Sequence, residues 1–351
     1  MKQLRTLLIL IILLAIPVSG FAQDKDKSTS DFECSIPKKF RKVRPHPDGT
    51  PTEVKLGIIF VDIKAIKDVS QTFSSDIIAR ASWNDHRLSK KSIGKSLEHC
   101  DFTLDQIWHP DLIPVNVVQV DIYKKMLDID ENGNVNYSMR IRNGGFYSDF
   151  LFKDFPFDRQ DLHLMLITFE QEDDELTFSI DNEYTGIRKT LSAEGWDIIL
   201  EEPIISTEYL EVQDRYLTRI DFRLSAERHT GYYLWKVILP LCFIVLMAWC
   251  VFWINPSEVG PQIGLSTASV FTLIAYRFSL GFLLPPVTYF TRMDIFILLS
   301  TILVFSALGV GIATSRLASK GKLDLALKIE RYSKVLYLIL FAVIIMVSFF
   351  L

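Results

Sequence analysis

Four apolar runs occupy the last third of this chain, at residues 232–253, 259–284, 295–315 and 335–351. The first two hold one charge each and the last two hold none. Each matches or approaches the ~20 residues that a helix needs to span ~30 Å of hydrocarbon. No other feature limits the fold so strongly, because backbone placed in lipid must satisfy its own hydrogen bonds and does so here as helices. The charges segregate accordingly. Residues 23–231 carry 27 Lys/Arg against 38 Asp/Glu, a net of -11, whereas residues 232–351 carry 9 against 4, a net of +5. That division excludes a soluble two-domain enzyme, a nucleic-acid binder and a disordered chain. It implies an acidic folded domain followed by a membrane domain.

The first 22 residues read as a signal peptide. Lys2 and Arg5 give a positive start, residues 7–16 are apolar, and Gly20-Phe21-Ala22 supplies the small residues of a cleavage site. An exported domain over residues 23–231 then puts both ends of the four-span unit outside. The loop between spans three and four becomes cytoplasmic, and its Lys320, Lys322, Lys328 and Arg331 agree with the positive-inside rule. The expected location is the plasma (inner) membrane, crossed four times. Cys242 and Cys250 fall in the first span. Cys34 and Cys100 lie in the exported domain, and their spacing leaves open whether they pair.

The second span is the least apolar, with Gly260, Gly264, Ser266, Thr267, Ser269, Thr272, Ser279 and Gly281. Small residues of this kind serve close helix packing. They equally suit a helix facing water inside an assembly, which requires several subunits around an axis.

Residues 54–228 read as β. Runs at 54–63, 75–83, 116–127, 135–142, 162–169, 176–180, 196–205 and 216–224 have strand character, divided by turns such as Asn132-Gly133 and Gly144-Gly145. About ten strands suit an Ig-like sandwich. Residues 23–53, with four prolines from Pro37 to Pro51, read as an irregular or short-helical lead-in. Asp128-x-Asp130-x-Asn132-Gly133 begins like a calcium loop, but Met139 stands where the twelfth-position Glu is needed, so a hairpin tip is the better reading. The acidic run Glu170, Glu172, Asp173, Asp174 and Glu175 reads as a solvated turn, with modulation by a divalent cation as its alternative. No catalytic set and no cofactor motif is apparent, so no enzyme is expected.

Five segments, in order, resemble the pentameric ligand-gated ion channels, the Cys-loop receptor superfamily in its prokaryotic form. Trp83-Asn84-Asp85-His86-Arg87-Leu88 is similar to the family's WxDxxL segment and Trp108-His109-Pro110-Asp111-Leu112 to its WxPD turn. Phe155-Pro156-Phe157-Asp158-Arg159-Gln160 resembles the FPFDxQ core of the signature loop. Arg228, Tyr232-Tyr233 and Pro240 resemble the junction with the first helix, and Leu284 to Tyr289 the linker after the pore helix. The signature cysteines would fall at Ser148 and Leu162, so that disulfide is absent.

The resemblance implies a homopentamer whose second helices line a central pore for inorganic ions, surrounded by membrane lipid, with no nucleic-acid partner. Pore-lining positions would be Glu258, Gly264, Thr267, Ala268, Phe271, Ile274, Ala275, Phe278 and Phe282. A competing frame puts Ser266, Val270, Leu273 and Arg277 in the lumen. Agonist, a small molecule or the proton, would bind between subunits near Phe169, Tyr209, Tyr216, Ile78 and Arg80. Ile78 and Val115 stand where relatives have aromatics, so a full cation-binding box is incomplete. Histidines at 86, 99, 109, 163 and 229 keep proton gating open. Coupling of the two domains would fall to Phe155, Pro156, Phe157, Asp158, Arg228, Pro285, Pro286 and Thr288. The acidic outer domain and Glu258 favour cations, whereas the start of the second span, 260–265, resembles anion channels. A non-conducting membrane-anchored sensor is the rival class.

Overall fold

Among the described residues, alternating β-branched and aromatic residues from Thr52 onward build eleven strands in two facing sheets. The computed structural model describes residues 36–94, 97, 100, 102–211, 214–281 and 286–350. The signal-peptide reading and the positions Cys34, His99, Phe282 and Pro285 therefore lie outside the described residues. Cys100 is disulfide-bonded, and Cys242 and Cys250 are free.

The strands are β1 (Thr52–Lys67), β2 (Thr72–Asn84), β3 (Leu112–Pro114), β4 (Val117–Ile129), β5 (Asn134–Tyr147), β6 (Arg159–Thr168), β7 (Leu176–Ile180), β8 (Gly186–Ile187), β9 (Trp196–Leu200), β10 (Ile204–Leu210) and β11 (Arg215–Arg228). One sheet runs β4-β5-β2-β1-β7, with β8 also on β1. The other runs β10-β11-β6-β3, with β9 also on β11. The 196–205 run, expected as one strand, is two, because Pro203 has no N–H to continue a ladder. In β2 the buried residues Phe73, Ser75, Ile77, Ala81 and Trp83 alternate with partly exposed ones, as a half-buried strand requires. Phe60, Phe73, Phe146 and Phe222 fill the space between the sheets, each worth roughly 1.5–3 kcal/mol of burial.

The Trp83 and Trp108 motifs sit at the end of the sandwich where β1 begins. The rings of Trp83 and Trp108 meet edge to face at 6.0 Å, and buried Asp85 holds Arg87 at 2.7 Å. The β4–β5 tip is a hairpin, as expected. Asp130 spends its carboxylate on the backbone N–H groups of Asn132 (2.9 Å) and Asn134 (2.8 Å). Gly133 is required there: its φ is +83°, and a Cβ would stand 2.4 Å from the Asp85 carbonyl oxygen.

Two short helices, α1 (Lys39–Lys42) and α2 (Lys90–Ile93), belong to this domain. Four long apolar helices follow: α3 (Gly231–Trp253), α4 (Val259–Leu280), α5 (Arg292–Ser319) and α6 (Leu323–Phe349). A π-helical turn at Leu234–Ile238 precedes Pro240 in α3, absorbing a residue that cannot donate to the preceding turn. Thr291 and Asp294 form a reciprocal cap at the start of α5. The second helix is described from Val259 to Leu280, and the expected end at 284 lies outside the described residues. The fourth begins at Leu323, twelve residues before the apolar run at 335. Hydropathy stops at Asp324, Lys328, Glu330, Arg331 and Lys334, but Asp324 suits the positive end of the helix in its first turn, Lys, Glu and Arg are good helix formers, and the helix continues through them. The expected 19-residue loop thus shrinks to Lys320–Lys322, with Gly321 at φ +75° closing α5.

Candidate functional site

Arg228 ends β11 three residues before the first membrane helix, and it is only 7% exposed. Burial of a guanidinium is tolerable only with partners, and it has two carboxylates. Its Nε donates to Asp158 Oδ1 at 2.8 Å and its Nη2 to Asp158 Oδ2 at 3.1 Å. Nη1 and Nη2 donate to the two oxygens of Asp68 at 2.8 and 2.9 Å. Trp196 and Phe155 stack on the guanidinium, at 4.1 and 5.0 Å to their ring centroids. Burial works against the charge, but the hydrogen bonds and negative charge of Asp68 and Asp158 outweigh it, so the arginine's pKa rises above its usual value. Asp158 and Arg228 are both among the coupling residues that the resemblance implies. Asp68, on the β1–β2 turn, was not foreseen.

The segment from Ser148 to Asp158 carries this charge cluster onto the helices. Its Phe155–Pro156 peptide is cis. The Gln160 amide bonds both the N–H and the carbonyl of Leu151 and also donates to Asp158. On the membrane side, Phe152 N–H donates to Tyr289 Oη at 2.9 Å, and Asp154 accepts from Arg292 Nε at 2.7 Å. The Met293 N–H donates to the Phe155 carbonyl. Phe155 packs on Tyr233 of α3 at 4.8 Å, and Phe157 on Phe349 of α6 at 5.6 Å. Phe155, Phe157, Asp158 and Arg228 therefore meet in one junction. Pro286 and Thr288 are exposed in the linker between α4 and α5.

Helix α4 has two unlike faces. Gln262, Ser266, Ser269, Val270, Leu273 and Leu280 are buried among the other helices. Gly264, Ala268, Phe271, Ile274, Ala275 and Phe278 are exposed, with Thr267 half-buried beside them. Phe271 is 66% and Phe278 76% exposed. Of the competing frame, Ser266, Val270 and Leu273 point into the bundle and only Arg277 is exposed; it lines a cavity of about 200 Å³ with Asp294 and Phe290. Glu258 is exposed just before the first turn.

Comparison with known proteins decides the family. Residues 38–230, more than half of the chain, match the family described as "Neurotransmitter-gated ion-channel ligand binding domain". The chain belongs to this family. A curated relative, named proton-gated ion channel, from Gloeobacter violaceus, is 26% identical over 258 residues, covering 73% of this chain and 71% of the relative. Both the family and the relative are ion channels rather than enzymes.

Within this family of ligand-gated channels, the chain's departures have visible consequences. At the signature-cysteine positions, Ser148 Oγ accepts the His163 N–H at 2.9 Å, while Leu162 is fully buried. Tyr209 and Tyr216 face each other across the β10–β11 hairpin, with ring centroids 5.0 Å apart. Phe169 stands at the end of β6 in the same sheet, its carbonyl bonded by Arg215. Ile78 and Arg80 lie on β2, in the opposite sheet, where Arg80 stacks on Tyr184 at 3.8 Å and bonds Asn136. The structure does not gather these five residues within one chain. Among the described residues no three His, Cys, Asp or Glu side chains converge as a metal site, so the acidic run at 170–175 is no ready-made cation site.

His163 on β6 is a further polar feature of the outer domain. Its Nδ1 lies 2.9 Å from Asp221 Oδ2 on β11. The Asp221 hydrogen bond raises its pKa above 6.5. Burial and Arg223 oppose the rise, and the charges of Asp221 and Asp161 assist it.

Proposed function

We propose that this chain is the subunit of a homopentameric channel in the plasma (inner) membrane, with α4 lining a cation-selective pore and external protons as the trigger. The exposed face of α4 carries the reading. α4 is the least apolar of the four described helices, and it pairs a packed face holding Gln262, Ser266 and Ser269 with an exposed row of glycine, alanine and phenylalanine. A five-fold axis would convert that row into rings around a passage. Glu258 would add five carboxylates at the cytoplasmic end, and the acidic outer domain would concentrate cations at the other.

Agonist half-sites would come from different subunits. Tyr209, Tyr216 and Phe169 stand on one sheet and Ile78 and Arg80 on the other, so a cleft between neighbours is the arrangement that unites them. Proton gating is supported by the relative's name and by the His163–Asp221 pair, in which the hydrogen bond to Asp221 raises the histidine's pKa from its ordinary value. The test is current through purified protein in a planar bilayer with a salt gradient. External acidification should open a conductance that reverses near the cation equilibrium potential. Silence at every pH and with amine and carboxylate ligands would favour the membrane-anchored sensor.

A further inference from the structure

The lower half of the bundle holds a carboxylate where an apolar residue would be expected. Ala326, Glu330, Tyr337, Phe341, Ile344 and Ser348 form the buried stripe of α6, and Glu330 is 3% exposed within it. Its oxygen Oε1 accepts from Gln262 Nε2 of α4 at 2.6 Å and from Thr314 Oγ1 of α5 at 3.3 Å. Gln262 is itself fully buried, and its own Oε1 accepts from Ser315 Oγ of α5. No cation pairs with Glu330 among the described residues. Lys334, one turn further on, instead lies over Trp253 at 4.4 Å. An ionisable group inside a membrane bundle is costly and marks function more often than packing.

What the carboxylate does follows from where α6 sits. It is the least buried of the four helices and packs chiefly on α5. The Gln262–Glu330 bond is its one hydrogen bond to α4 among the described residues. Gln262 lies in the first turn of α4, and its N–H donates to the Glu258 carbonyl at 3.2 Å. A hold on Gln262 is therefore a hold on the inner end of the helix and on Glu258. We propose that Glu330 is a positioning residue: through Gln262 it fixes the inner mouth of the pore to the outermost helix of the bundle. A displacement of α6 then reaches the pore entrance directly, without passing through the outer domain. This rests on the reading of α4 as the pore helix.

The experiment measures position and needs no agonist. Nitroxide labels are placed at Val259→Cys, at the start of α4, or at Gly281→Cys, past its outer end, in reconstituted full-length protein carrying Cys242→Ser and Cys250→Ser. Distances between labels in the assembled protein are read by pulsed electron resonance. The unmodified pattern tests the pore reading, since α4 around a five-fold axis gives the two distances of a five-membered ring. Glu330→Leu and Gln262→Leu should each broaden the Val259 distribution, and the double variant should broaden it no further. Glu330→Gln, which keeps an acceptor, should restore the narrow width, and Gly281 should stay unchanged throughout. If Glu330→Leu fails to assemble, Thr314→Val removes the second donor and should give a smaller broadening. A ring pattern that stays equally narrow at Val259 in Glu330→Leu, or in Thr314→Val where that is the variant available, overturns the proposal while leaving the pore reading intact. Broadening equal at both labels also overturns it, because that is general loosening of the bundle.

Discussion

Removing one charge at a time from the Arg228 cluster should reveal whether the junction transmits gating. Arg228→Gln strands two carboxylates, one with a side chain only 1% exposed and one at 17%. Breaking such a buried pair by deleting a partner costs about 3–5 kcal/mol. Asp158→Asn is milder, because Asp68 still holds the guanidinium through two hydrogen bonds. Its cost should be near that of hydrogen bonds to a charged group, about 1.5–3 kcal/mol. If the pair is stressed differently in closed and open states, these losses appear in the gating equilibrium as well as in stability. The double variant should then fall short of the sum by at least ~1.4 kcal/mol, a tenfold ratio. An exposed pair would give under ~1 kcal/mol.

The assay is a double-mutant cycle on the midpoint of acid-evoked current in reconstituted protein, with thermal unfolding of the assembly run in parallel. Non-additivity in both readouts is the expected result. Non-additivity in unfolding alone would mean a structural clamp that gating does not move. Strict additivity in both would refute the argument, since residues sharing two hydrogen bonds cannot act independently. Arg228 stays charged throughout, its pKa being raised by both aspartates, so acid cannot act by neutralising it.

Other expectations are as direct. Glu258→Gln should lower cation permeability and shift the reversal potential in a salt gradient; an unchanged potential would revive the anion reading. Phe271 and Phe278 lie about 10 Å apart along the axis, at ~1.5 Å per residue, and would form two apolar rings that resist hydration. Phe271→Ala should raise resting current at little cost in stability, with Phe278→Ala less effective; Leu273→Ala, at a fully buried position, should cost about 2–5 kcal/mol of stability instead. The His163–Asp221 bond should stabilise the fold fully below pH ~6.5 and lose that contribution as the pH rises through the raised pKa. Thermal unfolding against pH should therefore be flatter in His163→Gln, and an identical profile would remove His163 from the pH response.

Much of this architecture could be read in the sequence because the signals were local. Trp83 to Leu88, Trp108 and the Phe155 to Gln160 segment each carry their spacing within a few residues, and the four spans declare themselves by hydropathy. What escaped was non-local or mixed in character. Asp68 lies 160 residues from Arg228 in a turn of ordinary composition, so no window links the two. Glu330 falls between the third and fourth apolar runs and drew no separate reading, since hydropathy cannot distinguish a charge facing water from one facing Gln262. Pro203 divided a run that alternation alone joined. The agonist residues were assembled from resemblance, and a single chain has two faces that it cannot bring together.

The junction also explains how a chain without the signature disulfide keeps its signature loop in place. Each end of the segment from Ser148 to Asp158 is tied to β6 or β11 by hydrogen bonds: Ser148 to the His163 N–H, Leu151 to the Gln160 amide, Asp158 to Arg228. Its tip is tied to the helices by Tyr289, Arg292 and Met293. Bonds of this kind are each worth about 0.5–1.5 kcal/mol net, more when charged, so they can be exchanged during a transition where a covalent closure cannot. Among the described residues the contact with α4 is indirect. Arg228 bonds Tyr233 of α3 at 3.3 Å, and four residues along α3 the Val237 carbonyl accepts from Tyr276 Oη of α4. That carbonyl lies in the π-helical turn that Pro240 imposes, where the backbone pattern already departs from regular helix. A rotation at the base of β11 would therefore bear first on the most irregular turn of α3 and, through the Tyr276 bond, on α4. Spatial contiguity is not coupling. The Asp158–Arg228 cycle supplies the missing measurement at the point where the route begins.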